Sequence, residues 1–317
     1  MNNLLNVTIT ERQMMSSDVV SLTLASVDGS PLPTFSAGAH VAVHVNDDTV
    51  RQYSLCSAPD ETAFYRLGIL KDPKSRGGSI AIHEQLKAGD AITITEPSNL
   101  FPLDMTADHS ILAGGGIGIT PMIAMAYALK AAGKAFTLHY CVRSHNEVAF
   151  LEELQRDFGN ELKVHCDDLG DEQRLNPAVD FGKPAAGTHV YTCGPSGFMD
   201  WIMGSAKDLG FKDENIHFEY FNVEVDSTGE AFTVIAEQSG KTISVSGTQT
   251  IMEALSDAGI KVEVSCEQGI CGTCIVDVLE GEPEHRDQFL TDDEKADNDQ
   301  IAVCCSRSKS STLVLDI

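Results

Sequence analysis

Three cysteines fall within the nine residues CEQGICGTC, and a fourth follows further along, in the stretch AVCCSRS. The spacing is Cys266-x4-Cys271-x2-Cys274-x29-Cys304. Such a chain has to form a tight loop that gathers its sulfurs. At this spacing four thiolates can hold two irons bridged by two sulfides. Gly269 and Gly272 suit that loop, because small residues let the backbone wrap closely and turn its N–H groups toward sulfur. On the residues alone, the alternatives are a structural zinc site, a redox disulfide or buried unbridged thiols. Cys304 has a neighbour, Cys305. The spacing favours Cys304, and in an extended strand Cys305 would point to the opposite face.

The rest of the composition narrows the setting. A chain of 317 residues is expected to form two or three domains. No segment is apolar for the roughly 20 residues needed to cross a bilayer. The start, MNNLLNVTITERQ, lacks the basic and apolar regions of an export signal, so a cytoplasmic location is expected. The nine cysteines are odd in number, and five lie in the last 52 residues. That clustering reads as metal ligation in a reducing compartment rather than a disulfide framework. A net charge of −25 argues against nucleic acid as a partner, since phosphates need Lys and Arg. Residues 226–317 carry 18 Asp and Glu against 6 Lys and Arg, which makes this the most acidic part of the chain.

Hydrophobic periodicity divides the chain into three. Residues 1–103 show short alternating runs such as NVTITERQ, VVSLTLASV and HVAVHV, separated by turns such as VDGSPLP and NDD. One short helix, GGSIAIHEQLKAGD, interrupts them, and a small antiparallel β-barrel is expected. Residues 104–225 alternate strands with helices, including one through NEVAFLEELQRDF, so an α/β domain with a parallel sheet is expected. STGEAF near residue 230 reads as a linker. Residues 226–317 then give a hairpin, a helix in TQTIMEALSDAG, the cysteine loop and a last strand, a mixed α+β module.

Two glycine turns stand out in the middle segment. LAGGGIGITPM follows a strand and opens a helix, where Gly114, Gly115, Gly116 and Gly118 would let the backbone approach a pyrophosphate. Pro121 replaces the third glycine of the usual dinucleotide fingerprint, so a tight structural turn is the other reading. The second turn, CGPSGFMD, also follows a strand, and both would lie at carboxyl ends of one sheet. Cys193 by itself reads as a packed small residue or as a participant in the reaction. In the first segment, RQYSL offers Arg51 for a phosphate and Tyr53 to flank a flat ring, with Ser54 beside them. RGGS enters a helix with Gly77, Gly78 and Ser79, again suited to phosphate. A flavin is the economical explanation for two such sites beside a nucleotide domain.

As a set, and over essentially its whole length, the chain resembles the single-chain reductases of Rieske-type oxygenases. The resemblance implies an FMN-binding barrel at 1–103, an NAD-binding domain at 104–225 and a plant-type [2Fe-2S] ferredoxin domain of the β-grasp kind at 226–317. It implies FMN contacts from Arg51, Tyr53, Ser54, Gly78 and Ser79, with Gly77 beside them. Pyridine-nucleotide contacts fall to Gly115, Gly116, Gly118, Thr120, Cys193, Gly194 and Pro195. The family's closing Cys-x-Ser-Arg maps to Cys304–Arg307, and Phe221 in EYF maps to the aromatic residue beside the flavin. Phe221, Cys193 and Ser54 are the residues expected at the reaction itself. Arg143 and Ser144 stand where an acidic ribose ligand would select NADH, and Arg143 suits a 2′-phosphate or a stack on adenine. NADH is still the expected reductant, with NADPH second.

The resemblance also implies the work done. NADH gives up two electrons as a hydride and an iron–sulfur cluster takes one, so a flavin has to stand between them. A Rieske-type oxygenase component is the expected acceptor, met in a transient, charge-steered complex through the acidic C-terminal module. The alternatives are a flavin and iron–sulfur reductase serving another acceptor, and an electron carrier without NADH turnover. His83, His109 and His139 read as surface or core residues.

Overall fold

The computed structural model describes residues 3–46, 49–73, 75, 77–221 and 225–317. The chain divides into two compact units, Met1–Phe221 and Asn222–Ile317. Asp47 and Asp48 of the NDD turn, and Arg76 of RGGS, lie outside the described residues.

The first unit opens with six strands: β1 (Leu4–Met14), β2 (Val19–Ser26), β3 (His40–Asn46), β4 (Thr49–Ser54), β5 (Tyr65–Leu70) and β6 (Ala91–Thr95). They pair antiparallel in the order β4-β3-β6-β1-β2-β5. The two edges meet again at a Leu55–Leu67 bridge, so the sheet is a nearly closed barrel. Alternation drives the closure: Val7, Ile9, Leu22, Leu24, Leu67 and Ile69 all point inward, fully buried. Helix α1 (Gly78–Gln85) sits between β5 and β6 in the chain.

A parallel sheet follows, made of β7 (His109–Gly115), β8 (Ala135–Val142), β9 (Leu162–Cys166), β10 (Thr188–Cys193) and β11 (Ile216–Glu219). Its order is β11-β10-β7-β8-β9. The chain therefore reverses direction across the sheet between β7 and β10, the switch point where such sheets open a crevice at their carboxyl ends. The helices are α2 (Ile119–Ala131), α3 (Leu151–Phe158), α4 (Pro177–Asp180) and α5 (Ser196–Leu209). Every residue of β10 is buried, as a central parallel strand covered on both faces requires.

The barrel and the parallel sheet share one apolar cluster, which runs from Val19, Cys56 and Phe101 to Leu112, Met122 and Phe150. Arg66 of β5 bonds both carboxylate oxygens of Glu153 on α3, each at 2.5 Å. The helix expected from residue 146 starts only at Leu151. Phe150 adopts φ 61° and buries its ring beneath the Arg66 guanidinium, which breaks the helix one residue before it starts.

The second unit holds β12 (Phe232–Ala236), β13 (Lys241–Val245), α6 (Ile251–Asp257), β14 (Ile275–Glu280), β15 (Pro283–Glu284), α7 (Asp292–Asp297), β16 (Gln300–Ala302), β17 (Arg307–Ser308) and β18 (Thr312–Leu315). Its main sheet runs β13-β12-β18-β14-β16, with β12 and β18 parallel and α6 packed on β13. Thr250 and Glu253 form a reciprocal capping box on α6, a device that contributes about 1 kcal/mol. The stretch STGEAF, 227–232, expected as a linker, is instead bonded into this unit through residues 227–230, and its Phe232 opens β12. The carbonyls of Ser227 and Glu230 accept from Arg307, and Gly229 N–H bonds Gly247.

Candidate functional site

The cysteine loop, residues 266–274, lies between α6 and β14. Thiol contacts join Cys266 to Cys271 and to Cys304, and join Cys274 to Cys304. Cys266, Cys274 and Cys304 are buried and Cys271 is partly exposed. The backbone N–H of Gln268 points at the Cys266 sulfur at 3.3 Å. Gly269 and Gly272 both take φ 72°, and neither has room for a side chain. A Cβ on Gly272 would stand 2.3 Å from the Phe289 ring, and one on Gly269 would stand 2.5 Å from the Cys305 sulfur. Four converging sulfurs in a glycine-tightened loop with an N–H aimed at one of them fit a [2Fe-2S] cluster.

Cys304 and Cys305 lie in a turn after β16, not in a strand, so alternation does not separate them. Contacts do. Cys304 meets both Cys266 and Cys274. The Cys305 sulfur borders Cys304 and is turned to the Ala302 carbonyl at 3.8 Å and the Ser306 hydroxyl at 3.7 Å. Arg307 then anchors the turn. Its buried guanidinium donates to the carbonyls of Ser227, Glu230, Ser246 and Gln249, and it packs over Phe232.

In the first unit the two glycine turns of the parallel sheet interlock. A Cβ on Gly118 would stand 2.2 Å from the Cys193 carbonyl oxygen, and one on Gly194 would stand 3.0 Å from Gly115 Cα. Thr120 is buried, donates to the Ile117 carbonyl and faces Gly68 of the barrel. Pro195 precedes α5 and Gly118 precedes α2, and neither helix has a side-chain cap. Around the barrel, Gly78 lies against Arg51, where an added Cβ would meet Arg51 Cγ at 2.5 Å. RQYS and RGGS therefore adjoin. Gly77, at φ 95° before α1, looks onto open space, and α1 also lacks a side-chain cap. Ser54 and Ser79 are buried, and Tyr53 is half-buried with its hydroxyl pushed up by burial. Uncapped helix N-termini that carry glycine turns are ready-made anion cradles. α6 and α7, away from these turns, both carry capping boxes.

Cys193 is fully buried, and burial raises its thiol well above the ordinary range, with Glu219 adding to the shift. Phe221 is partly buried against the cluster shared by barrel and sheet. Arg143 is exposed, and its carbonyl accepts the N–H of Asp168.

Two acids here were missed from the sequence. Asp168 follows β9 and accepts Ser144 Oγ at 2.7 Å and the His145 N–H at 3.2 Å. Its carboxyl is lowered, first by the Ser144 bond. Asp168, from after the third strand, thus lies beside Ser144 at the end of the second, a proximity that only strand pairing creates. Glu219 ends β11 directly beside Cys193, and its Oε2 is buried without a partner among the described residues. Burial alone pushes it up to about 8. Its signal was a carboxylate closing a hydrophobic strand, IHFE.

The raised value has a stability consequence. The folded state retains a proton that the unfolded chain releases above about 4.5, so this contribution is full below that pH and is lost as pH rises to about 8. Glu219→Gln is therefore expected to flatten the fall in melting temperature between pH 5 and 9. A variant that melts in parallel with wild type across that range would show that Glu219 is ionised throughout.

The comparisons with known proteins agree with this architecture. A 2Fe-2S iron-sulfur cluster binding domain matches residues 234–309. The chain is 47% identical over 319 residues to a vanillate O-demethylase oxidoreductase of Pseudomonas sp., covering 99% of this chain and 100% of the relative. Phthalate dioxygenase reductase, solved as a modular structure for electron transfer from pyridine nucleotides to [2Fe-2S], matches with a TM-score of 0.78 and 38% identity over 99% of this chain and 98% of that one. An intact type IV self-sufficient cytochrome P450 monooxygenase matches at 0.84 and 36% identity, with 99% of this chain spanning 41% of that one. No helix among the described residues is long and apolar enough to cross a membrane. Near-complete coverage by an oxidoreductase of almost half-identical sequence, on the same three-domain frame, means that the chain belongs to the reductase components of Rieske-type oxygenases.

Proposed function

We propose that residues 1–103 bind FMN, residues 104–225 bind NADH, and residues 226–317 hold a [2Fe-2S] cluster through Cys266, Cys271, Cys274 and Cys304. When bound, FMN and the cluster would supply the conversion of a two-electron hydride from NADH into single-electron steps. Arg51, Ser79 and the N-terminus of α1 would hold the FMN phosphate, and Tyr53 and Ser54 would flank its ring. The turns at Gly115–Thr120 and Cys193–Pro195 would hold the nucleotide, with Phe221 on the flavin side. The observation that carries the reading is that the two glycine turns close on each other after the adjacent strands β7 and β10, while RQYS and RGGS adjoin on the barrel.

The partner in this reading is a Rieske-type oxygenase component in the cytoplasm, where a reducing medium keeps cluster thiols available. The likeness to a self-sufficient P450 gives the second reading, a haem acceptor. Anaerobic NADH should bleach the flavin band of the reconstituted protein and then the cluster band. A flavin band untouched by NADH defeats the proposal. Reduction of a purified Rieske component, set beside that of a P450 haem domain, separates the two acceptors.

Asp168 supports NADH as the reductant. Its carboxylate, fixed by Ser144 and His145, would accept a ribose hydroxyl and repel a 2′-phosphate. Asp168→Ser is expected to narrow the NADH:NADPH ratio in kcat/KM by at least about tenfold, roughly the weight of one charged contact. An unchanged ratio would remove Asp168 from the nucleotide site.

A further inference from the structure

One cluster of ligand-type side chains plays no part in the electron pathway. His139 on β8 and His165 on β9 lie on adjacent parallel strands, with His165 opposite Cys141 in the ladder. His139 Nδ1 and His165 Nε2 are 3.0 Å apart. The rings are 17° from coplanar with centroids 5.3 Å apart, which is an edge-to-edge pair sharing one proton. Asp180, at the end of α4, brings a carboxylate oxygen into the same group, and the three ligand atoms lie within 4.8 Å of one another. We propose that His139, His165 and Asp180 form a binding site for a divalent transition metal of the zinc class, on the parallel sheet and separate from the cysteine cluster.

Three features favour metal over a plain hydrogen-bonded pair. First, the donors suit it: two imidazoles and a carboxylate bind zinc and its neighbours, whereas calcium and magnesium prefer all-oxygen sites. Zinc–imidazole bonds of about 2.0 Å place two nitrogens about 3.3 Å apart in a tetrahedral site, so the pair has to open by a few tenths of an ångström and both rings have to turn until their lone pairs converge on the ion.

Second, the tautomers permit it. His165 Nε2 faces His139 Nδ1, and the Gln173 backbone also meets the His165 ring. His139 Nε2 is buried without a partner among the described residues, so moving the His139 proton there frees Nδ1 for an ion at the cost of the bond to His165 and of a buried N–H without an acceptor, which the metal bonds would have to offset.

Third, a similar pair elsewhere lacks the converging acid. His189 Nδ1 and His217 Nε2 are 2.9 Å apart, but the nearby Asp104 is not gathered with both rings as Asp180 is. Asp180 is held by the Asn176 N–H at 2.8 Å, and Lys163 Nζ competes for its other oxygen at 3.7 Å. The Lys163 side chain is half-exposed and free to yield to an ion. A metal there would fasten the segment from Asp167 to Asp180, which carries Asp168, to β8 and β9.

The test uses the cluster-loaded protein, cleared of loose metal by a chelator, dialysed against zinc and analysed for zinc and iron together. One zinc per chain is expected beyond the iron. His165→Gln and Asp180→Asn should each weaken uptake by more than about a hundredfold, above the loss typical of outer-shell changes. His217→Gln should leave it intact. Flavin bleaching by NADH verifies that each variant is folded. Failure of the wild-type protein to take up the extra zinc overturns the proposal, as does unchanged uptake in His165→Gln and Asp180→Asn.

Discussion

Cys304→Ser is expected to abolish the visible absorption of the cluster and all electron transfer to the partner, while NADH still bleaches the flavin. Cys304 is the member of the adjacent pair that meets both Cys266 and Cys274, so its loss leaves three sulfurs for a site that needs four. The flavin and nucleotide sites belong to the other compact unit and should keep their reaction. Cys305→Ser changes a buried thiol beside Ala302 and Ser306 for a hydroxyl of similar size. It should retain the cluster at a cost of about 1 kcal/mol, typical of a mild buried change. Visible and paramagnetic resonance spectra of the two variants decide the matter. Loss of the cluster in Cys305→Ser with survival in Cys304→Ser would reverse the ligand assignment.

Gly118→Ala should be the most damaging single methyl in the nucleotide domain. The added carbon would lie 2.2 Å from the Cys193 oxygen, 2.4 Å from its carbonyl carbon and 2.6 Å from Gly194 N. All three are backbone atoms, so no flexible side chain can yield, and the two glycine turns have to separate. Overpacking of this kind costs about 1–3 kcal/mol, and more where only backbone can move. A loss of about 2–3 kcal/mol in alignment corresponds to a flavin reduction by NADH slower by about 30- to 160-fold, read by stopped flow. Gly204→Ala, inside α5 with open space around it, is the control and should be neutral or stabilising by about 0.5–1 kcal/mol. Equal rates in Gly118→Ala and wild type would show that the turns do not need their close contact.

Local pattern and local chemistry were legible from residues alone. The alternation of β1 and β2, the glycine turn between β7 and α2, and the cysteine spacing are carried by neighbours in sequence. The helix start at Leu151 was not, because burying Phe150 under Arg66 depends on a strand some eighty residues earlier. STGEAF, 227–232, reads as a linker by composition, yet buried Arg307 draws the carbonyls of Ser227 and Glu230 into the second unit.

By itself the sequence determined the alternating strands of the barrel, the four-sulfur spacing and the glycine turns, since each depends on side-chain period, backbone freedom or thiol chemistry within a short stretch. Tertiary structure decided what distance along the chain conceals. It set Cys304 against Cys266, locked Gly118 beneath Cys193, and brought Asp168 to Ser144. It also buried the Glu219 carboxyl at the end of β11, and burial raises its pKa because water no longer solvates the charge.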